Sequence, residues 1–83
     1  MNTLYKTAVL ENIIRKGFDH AATTGIIQRR MLHFYTAMDP LQLFGKYGES
    51  TDIDTHLEIL EGNGIIIRQK RGSNTVIKKG LNY

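Results

Sequence analysis

The sequence predicts a single, mainly α domain that carries a small β-hairpin, an α+β fold. Three observations lead there. Apolar residues recur at helical spacing over much of residues 3–60. The period changes after Gly64, where the β-branched run Ile65-Ile66-Ile67 begins. The turn sequence Arg71-Gly72-Ser73-Asn74 then separates that run from a second one, Thr75-Val76-Ile77. At 83 residues the chain forms one domain, residues 1–83, with a modest core.

Each element follows in order. Residues 3–16 read as a helix, because Leu4, Tyr5, Ala8, Val9, Ile13 and Phe18 recur at helical spacing and Gly17 supplies a stop. Residues 18–25 have mixed polarity and read as a loop. A second helix is expected to begin near Ile26, with Thr24 as its cap and Ile27, Met31, Phe34, Tyr35 and Met38 as its apolar stripe. Gly25-Ile26-Ile27 is alternatively the start of a strand. Asp39 as N-cap, Pro40 at the first helical position and Gln42 after them predict a short helix. Its apolar residues are Leu41, Leu43, Phe44 and Tyr47, and Gly48 ends it. Ser50 or Thr51 then caps a further helix with Ile53, Leu57 and Leu60 on its buried side. Gly62 and Gly64 close that helix, and the hairpin follows.

Composition narrows the function classes. The hydrophobic fraction of 41% is too high for a disordered chain. With no cysteine there are no disulfides, thiolate metal sites or cysteine nucleophiles. No apolar run approaches the roughly 18 residues of a membrane span, and no signal peptide is evident. The expectation is a soluble, cytoplasmic protein without a membrane partner. His20, His33 and His56 lack metal-ligand spacing. Ser50 and Ser73 sit in no nucleophile motif, and the glycines make no phosphate-binding loop. No enzyme activity, cofactor or metal is therefore expected.

Net charge is +3, and its distribution carries more than its size. Residues 49–61 hold Glu49, Asp52, Asp54, Glu58 and Glu61 without a Lys or Arg. Residues 68–79 hold Arg68, Lys70, Arg71, Lys78 and Lys79 without an acid.

The passage from His56 through Leu57, Leu60, Gly62 and Gly64 to Ile66, followed by Arg68, Lys70-Arg71-Gly72 and Asn74, resembles winged helix-turn-helix transcription regulators of bacteria and archaea. Arsenic-repressor-like and multiple-antibiotic-resistance-repressor-like proteins share a similar recognition-helix-to-wing pattern. The likeness covers about half the chain, residues 40–79, and is more specific for the fold than for either family. It implies a helix-turn-helix over about 40–62, a wing over about 65–79 and an additional N-terminal helix. It also implies sequence-specific binding of double-stranded DNA by a homodimeric regulator. One face of residues 3–18 is a candidate dimer surface. Metal sensing in the arsenic-repressor-like group often uses cysteines, which are missing here.

The candidate DNA-binding residues follow from chemistry. Ser50, Thr51 and Thr55 offer hydroxyls at the start of the third helix, and His56 matches the motif as a packing or phosphate-facing residue. Arg68, Lys70, Arg71, Lys78 and Lys79 are the expected phosphate contacts, with Arg68 and Lys70 on one strand face. Arg29-Arg30 and Lys46 are possible extensions of that patch. Asp54 and Glu58 oppose phosphate, although a carboxylate accepts a hydrogen bond from cytosine N4. The related regulators often carry neutral or basic residues there. The alternative is a protein-interaction module or small inhibitor, docking its acidic helix on a larger complex.

Overall fold

The computed structural model of the protein describes residues 3–21 and 24–83. The fold is α+β, with helices α1 (Thr3–His20), α2 (Leu32–Ala37) and α3 (Ile53–Gly62) and strands β1 (Ile26–Gln28), β2 (Ile66–Arg71) and β3 (Asn74–Lys79). A 3₁₀ segment, Arg29–Met31, leads from β1 into α2. The sheet is antiparallel in the order β1-β3-β2. Among the described residues no helix is long and apolar enough to cross a membrane.

The first helix outruns its expected end. Gly17 lies inside α1 because of packing: a Cβ there would stand 2.8 Å from Ile27 Cδ1, so the missing side chain lets β1 approach. The inward face of α1 is Leu10, Ile13, Ile14 and Phe18, whereas Leu4, Tyr5 and Ala8 of the expected stripe are exposed. Of the loop expected at residues 18–25, residues 18–20 are helical, and residues 22 and 23 lie outside the described residues.

Ile26-Ile27 starts a strand rather than a helix. Ile27 is buried opposite Ile77, while Ile26 pairs with Lys78. Because α2 starts six residues after Ile26, its phase differs from the expected one. Leu32 and Thr36 face inward, and Met31, Phe34 and Met38 are exposed.

No helix forms over residues 40–47. Asp39 does cap one turn there, as its Oδ2 accepts from Leu43 N at 3.4 Å and its carbonyl from Gln42 N at 3.0 Å. The chain then leaves helical geometry at Gln42, φ +49°, and at Gly45, φ +94°. Phe44 is driven into the core, and the loop returns against α2 at Gly48. There His33 Nδ1 donates to Gly48 O at 2.8 Å.

Helix α3 buries Ile53, His56, Leu57 and Leu60. Each fully buried aliphatic side chain contributes about 1.5–3 kcal/mol, so this face dominates its attachment. Its end is a Schellman motif, with Ile65 N bonded to Leu60 O and Gly64 N to Glu61 O, both at 3.0 Å. Ile66 and Ile77 then join the helical residues in one core, and exposed Gly72-Ser73 makes the turn at the far end of the hairpin. Past β3, Gly80 N bonds to Ile65 O at 2.9 Å and Tyr83 packs edge-on against Phe18 at 5.3 Å between centroids.

Gly48 and Gly72 both have positive φ, +67° and +64°. A Cβ on Gly48 would strike Thr36 Oγ1 and stand 2.5 Å from His33 O, whereas one on Gly72 meets nothing within 4 Å. Gly48→Ala is expected to cost about 3 kcal/mol from backbone strain and overpacking, and Gly72→Ala about 1 kcal/mol from strain alone. Urea unfolding of the two variants measures the difference, and equal losses would refute the packing role of Gly48.

Candidate nucleic-acid interface

The acidic helix is largely neutralised inside the molecule. Lys6 of α1 pairs with Asp52 at the start of α3. Arg29 Nε donates to Asp54 Oδ1 at 2.9 Å. Arg68 of β2 reaches Glu61 with its Nη2 at 3.0 Å and its backbone N at 3.0 Å. Glu49 accepts from Tyr47 N at 2.7 Å. Of the acids in residues 49–61, Glu58 is the exposed one that makes no ion pair or hydrogen bond among the described residues.

These bonds hold the carboxyls ionised. Hydrogen bonding to Arg29 lowers Asp54 below the ordinary Asp range, against some desolvation. The Arg68 backbone N–H, then its side chain, lowers Glu61. Burial opposes ionisation of Asp52, but hydrogen bonds from Lys6 and Ser50 outweigh it, and its carboxyl is also lowered.

The expected contact residues separate into groups. Thr51 and Thr55 are exposed beside the α3 N-terminus. Ser50 is half-buried and donates to Asp52 Oδ1. His56 does not face outward: at 4% exposure it packs edge-on to Phe44, with Nδ1 2.8 Å from Thr7 Oγ1. Its packing role therefore stands and its phosphate-facing role does not. A polar tie to α1 accounts for its burial at a helix position otherwise taken by aliphatics.

The hairpin cations do not form one patch. Residues paired across strands share a sheet face. Arg68, Lys70 and Lys79 lie on the face of Ile66 and Ile77, while Arg71 and Lys78 lie on the other. Arg68 is committed to Glu61. Lys70 and Arg71 are exposed near the tip without an ion pair among the described residues. Lys78 and Lys79 sit at the base, roughly 15 Å from the tip at about 3.3 Å per residue. There Lys79 Nζ lies 5.0 Å from the Tyr83 ring and 5.7 Å from that of Phe18.

The structure adds a concavity of about 360 Å³ between the hairpin tip, α3 and the approach to α2. Arg29, Arg30 and His33 line one side, Asp54 another, and Ser73 to Thr75 of the hairpin the third. Arg30 is exposed and makes no ion pair among the described residues. The Arg29-Arg30 doublet was the sequence signal for this site, but its direction depends on β1, which sequence left ambiguous. Lys46 is exposed with its Nζ 5.6 Å from the Tyr47 ring and does not line the concavity. Among the described residues no group of three or more His, Cys, Asp and Glu is placed to hold a metal.

One face of α1, Leu10, Ile13, Ile14 and Phe18, lies in the chain's own core, and the face left for a partner carries exposed Leu4, Tyr5 and Ala8. A larger exposed apolar surface lies on α2 and the following loop, where Phe34, Met38, Leu41 and Tyr47 are 57–71% exposed. Comparison with protein-family models, curated proteins and solved structures finds no match.

Asp52, Asp54 and Glu61 each have a folded pKa below the unfolded one. Their stabilisation is present above the unfolded values and is lost as pH falls through the folded values. The urea midpoint is expected to stay level down to about pH 5 and to drop below about pH 4. Asp54→Asn with Glu61→Gln should lower the midpoint at pH 7 and flatten the acid decline. An unchanged acid slope would show that these pairs do not contribute.

Proposed function

We propose that the protein is a winged helix-turn-helix domain that binds double-stranded DNA and regulates transcription. The order helix, strand, helix, helix and two-stranded hairpin supports the fold reading, as does the placement of β3 between β1 and β2. The helix-turn-helix expected over about 40–62 lacks its first helix, so in this reading α2 and α3 take that role across the loop 38–52, β2 and β3 form the wing, and α1 is the additional N-terminal helix.

The observation that carries the DNA reading is the concavity. It gathers Arg29, Arg30, His33 and the Ser73–Thr75 tip beside the start of α3, with Lys70 and Arg71 flanking the same tip. In this reading the Arg30 guanidinium and the donors of Ser73, Asn74 and Thr75 meet phosphate at the concavity, and Lys70 and Arg71 reach the backbone from opposite faces of the hairpin tip. Internal pairing of Asp52, Asp54 and Glu61 removes most of the repulsion that the acidic helix would exert. The tip and concavity supply affinity, and exposed Thr51 and Thr55 face the groove in this reading. Binding as a homodimer on a two-fold site remains part of the proposal.

A second reading, a protein-interaction module, is favoured by the exposed Phe34, Met38, Leu41 and Tyr47 surface. In that reading Phe34→Ser with Tyr47→Ser abolishes a protein complex and leaves the fold intact.

Fluorescence anisotropy against duplex DNA at several salt concentrations tests the first reading. A log-log salt slope of about −3 is expected, from roughly three phosphate contacts. Arg30→Glu, or Lys70→Glu with Arg71→Glu, should weaken binding about tenfold or more and reduce the slope. Folded protein that fails to bind at low salt would overturn the DNA reading.

A further inference from the structure

Asp54 differs from the other acids of its helix. It is the second residue of α3, its side chain is 64% exposed, and it lines the concavity. Arg29 meets it through one oxygen, Oδ1, while Oδ2 makes no hydrogen bond among the described residues. Arg29 itself is only 20% exposed, so it is a fixed part of the surface rather than a mobile cation. Around them the lining is rich in donors, namely Arg30, Gln28, Ser73 and Asn74. Asp54 is the acceptor-only group among these.

A lone carboxylate at a DNA interface is repelled by phosphates. One neutralised by a neighbouring guanidinium is not, and its unused oxygen still accepts a hydrogen bond. In the major groove cytosine N4 is an amino donor that suits a carboxylate. Guanine presents O6 and N7 acceptors, and thymine presents O4 and a methyl group, so neither offers a donor. Adenine N6 is a donor but stands beside the N7 acceptor, which repels the second oxygen.

We propose that Asp54 reads a cytosine through its N4 amino group, with Arg29 as the positioning residue that neutralises and orients the carboxylate. The inference rests on the DNA-binding reading and gives it a specificity residue.

Selection from a randomised duplex pool, with anisotropy on the enriched sites, tests it. The wild-type protein should enrich a position where cytosine is preferred about tenfold over other bases. Asp54→Asn should lose that preference and shift it toward adenine, whose N6 and N7 suit an amide. Arg29→Gln should weaken binding to every sequence, because Asp54 is then left as an unpaired charge. Circular dichroism confirms that the variants remain folded. If Asp54→Asn binds more weakly but keeps the cytosine preference, Asp54 serves only to tie α3 in place and the proposal fails. If the wild-type protein binds DNA with no cytosine position that depends on Asp54, the proposal fails while the DNA reading stands. If the wild-type protein binds no DNA at low salt, both fall.

Discussion

The carboxylates of α3 reach three separate elements: Asp52 meets Lys6 of α1, Asp54 meets Arg29 ahead of α2, and Glu61 meets Arg68 of β2. Partly exposed pairs of this kind are each worth at most about 1 kcal/mol, so they do not hold the helix in place by strength. Burial of Ile53, Leu57 and Leu60 does that. An apolar face alone leaves a helix some freedom to slide and roll. Polar ties at the start, the first turn and the last turn remove it. His56 adds a buried tie to Thr7, so the α1–α3 seam is fixed by polar contacts as well as by packing.

That arrangement changes the meaning of the charge pattern. In the linear sequence an acidic block precedes a basic block, and the two look like opposed surfaces. In the fold the blocks partly cancel where α3 lies beside β2. Of the two blocks, Glu58 on the acidic side is left without an ion pair or side-chain hydrogen bond among the described residues. On the basic side Lys70 and Arg71 near the hairpin tip and Lys78 and Lys79 at its base are left without an ion pair among the described residues, with Arg30 added beside the concavity.

The third helix and the hairpin were legible in the sequence because each rests on local signals. Ile53, Leu57 and Leu60 repeat at helical spacing, and Gly72-Ser73 sits between β-branched runs. Residues 26–50 were not, because their shape is set from a distance. Strand β1 has three residues and exists through its pairing with β3, a partner some fifty positions away. The capping signals at Asp39 and Pro40 do start a turn, but Phe44 has to reach the core and Gly48 has to meet α2, and a continuous helix does neither. The same limit applies to the site. Which cations are present is written in the chain, but Arg29 and Asp54 are 25 residues apart, and nothing local announces that they meet.

The hairpin is supported unevenly along its length. β1 backs only Val76 to Lys78, and Tyr83 packs with Phe18 and Lys79 beside the same end. The pairs Lys70 with Thr75 and Arg71 with Asn74 extend beyond that support. Toward the tip the support is one-sided, from the 3₁₀ segment Arg29–Met31 that lies beside β3. Among the described residues β2 has no strand on its outer side, so Lys70 and Arg71 sit on a sheet edge that is open to solvent while Ile66 and Ile77 anchor the same two strands in the core.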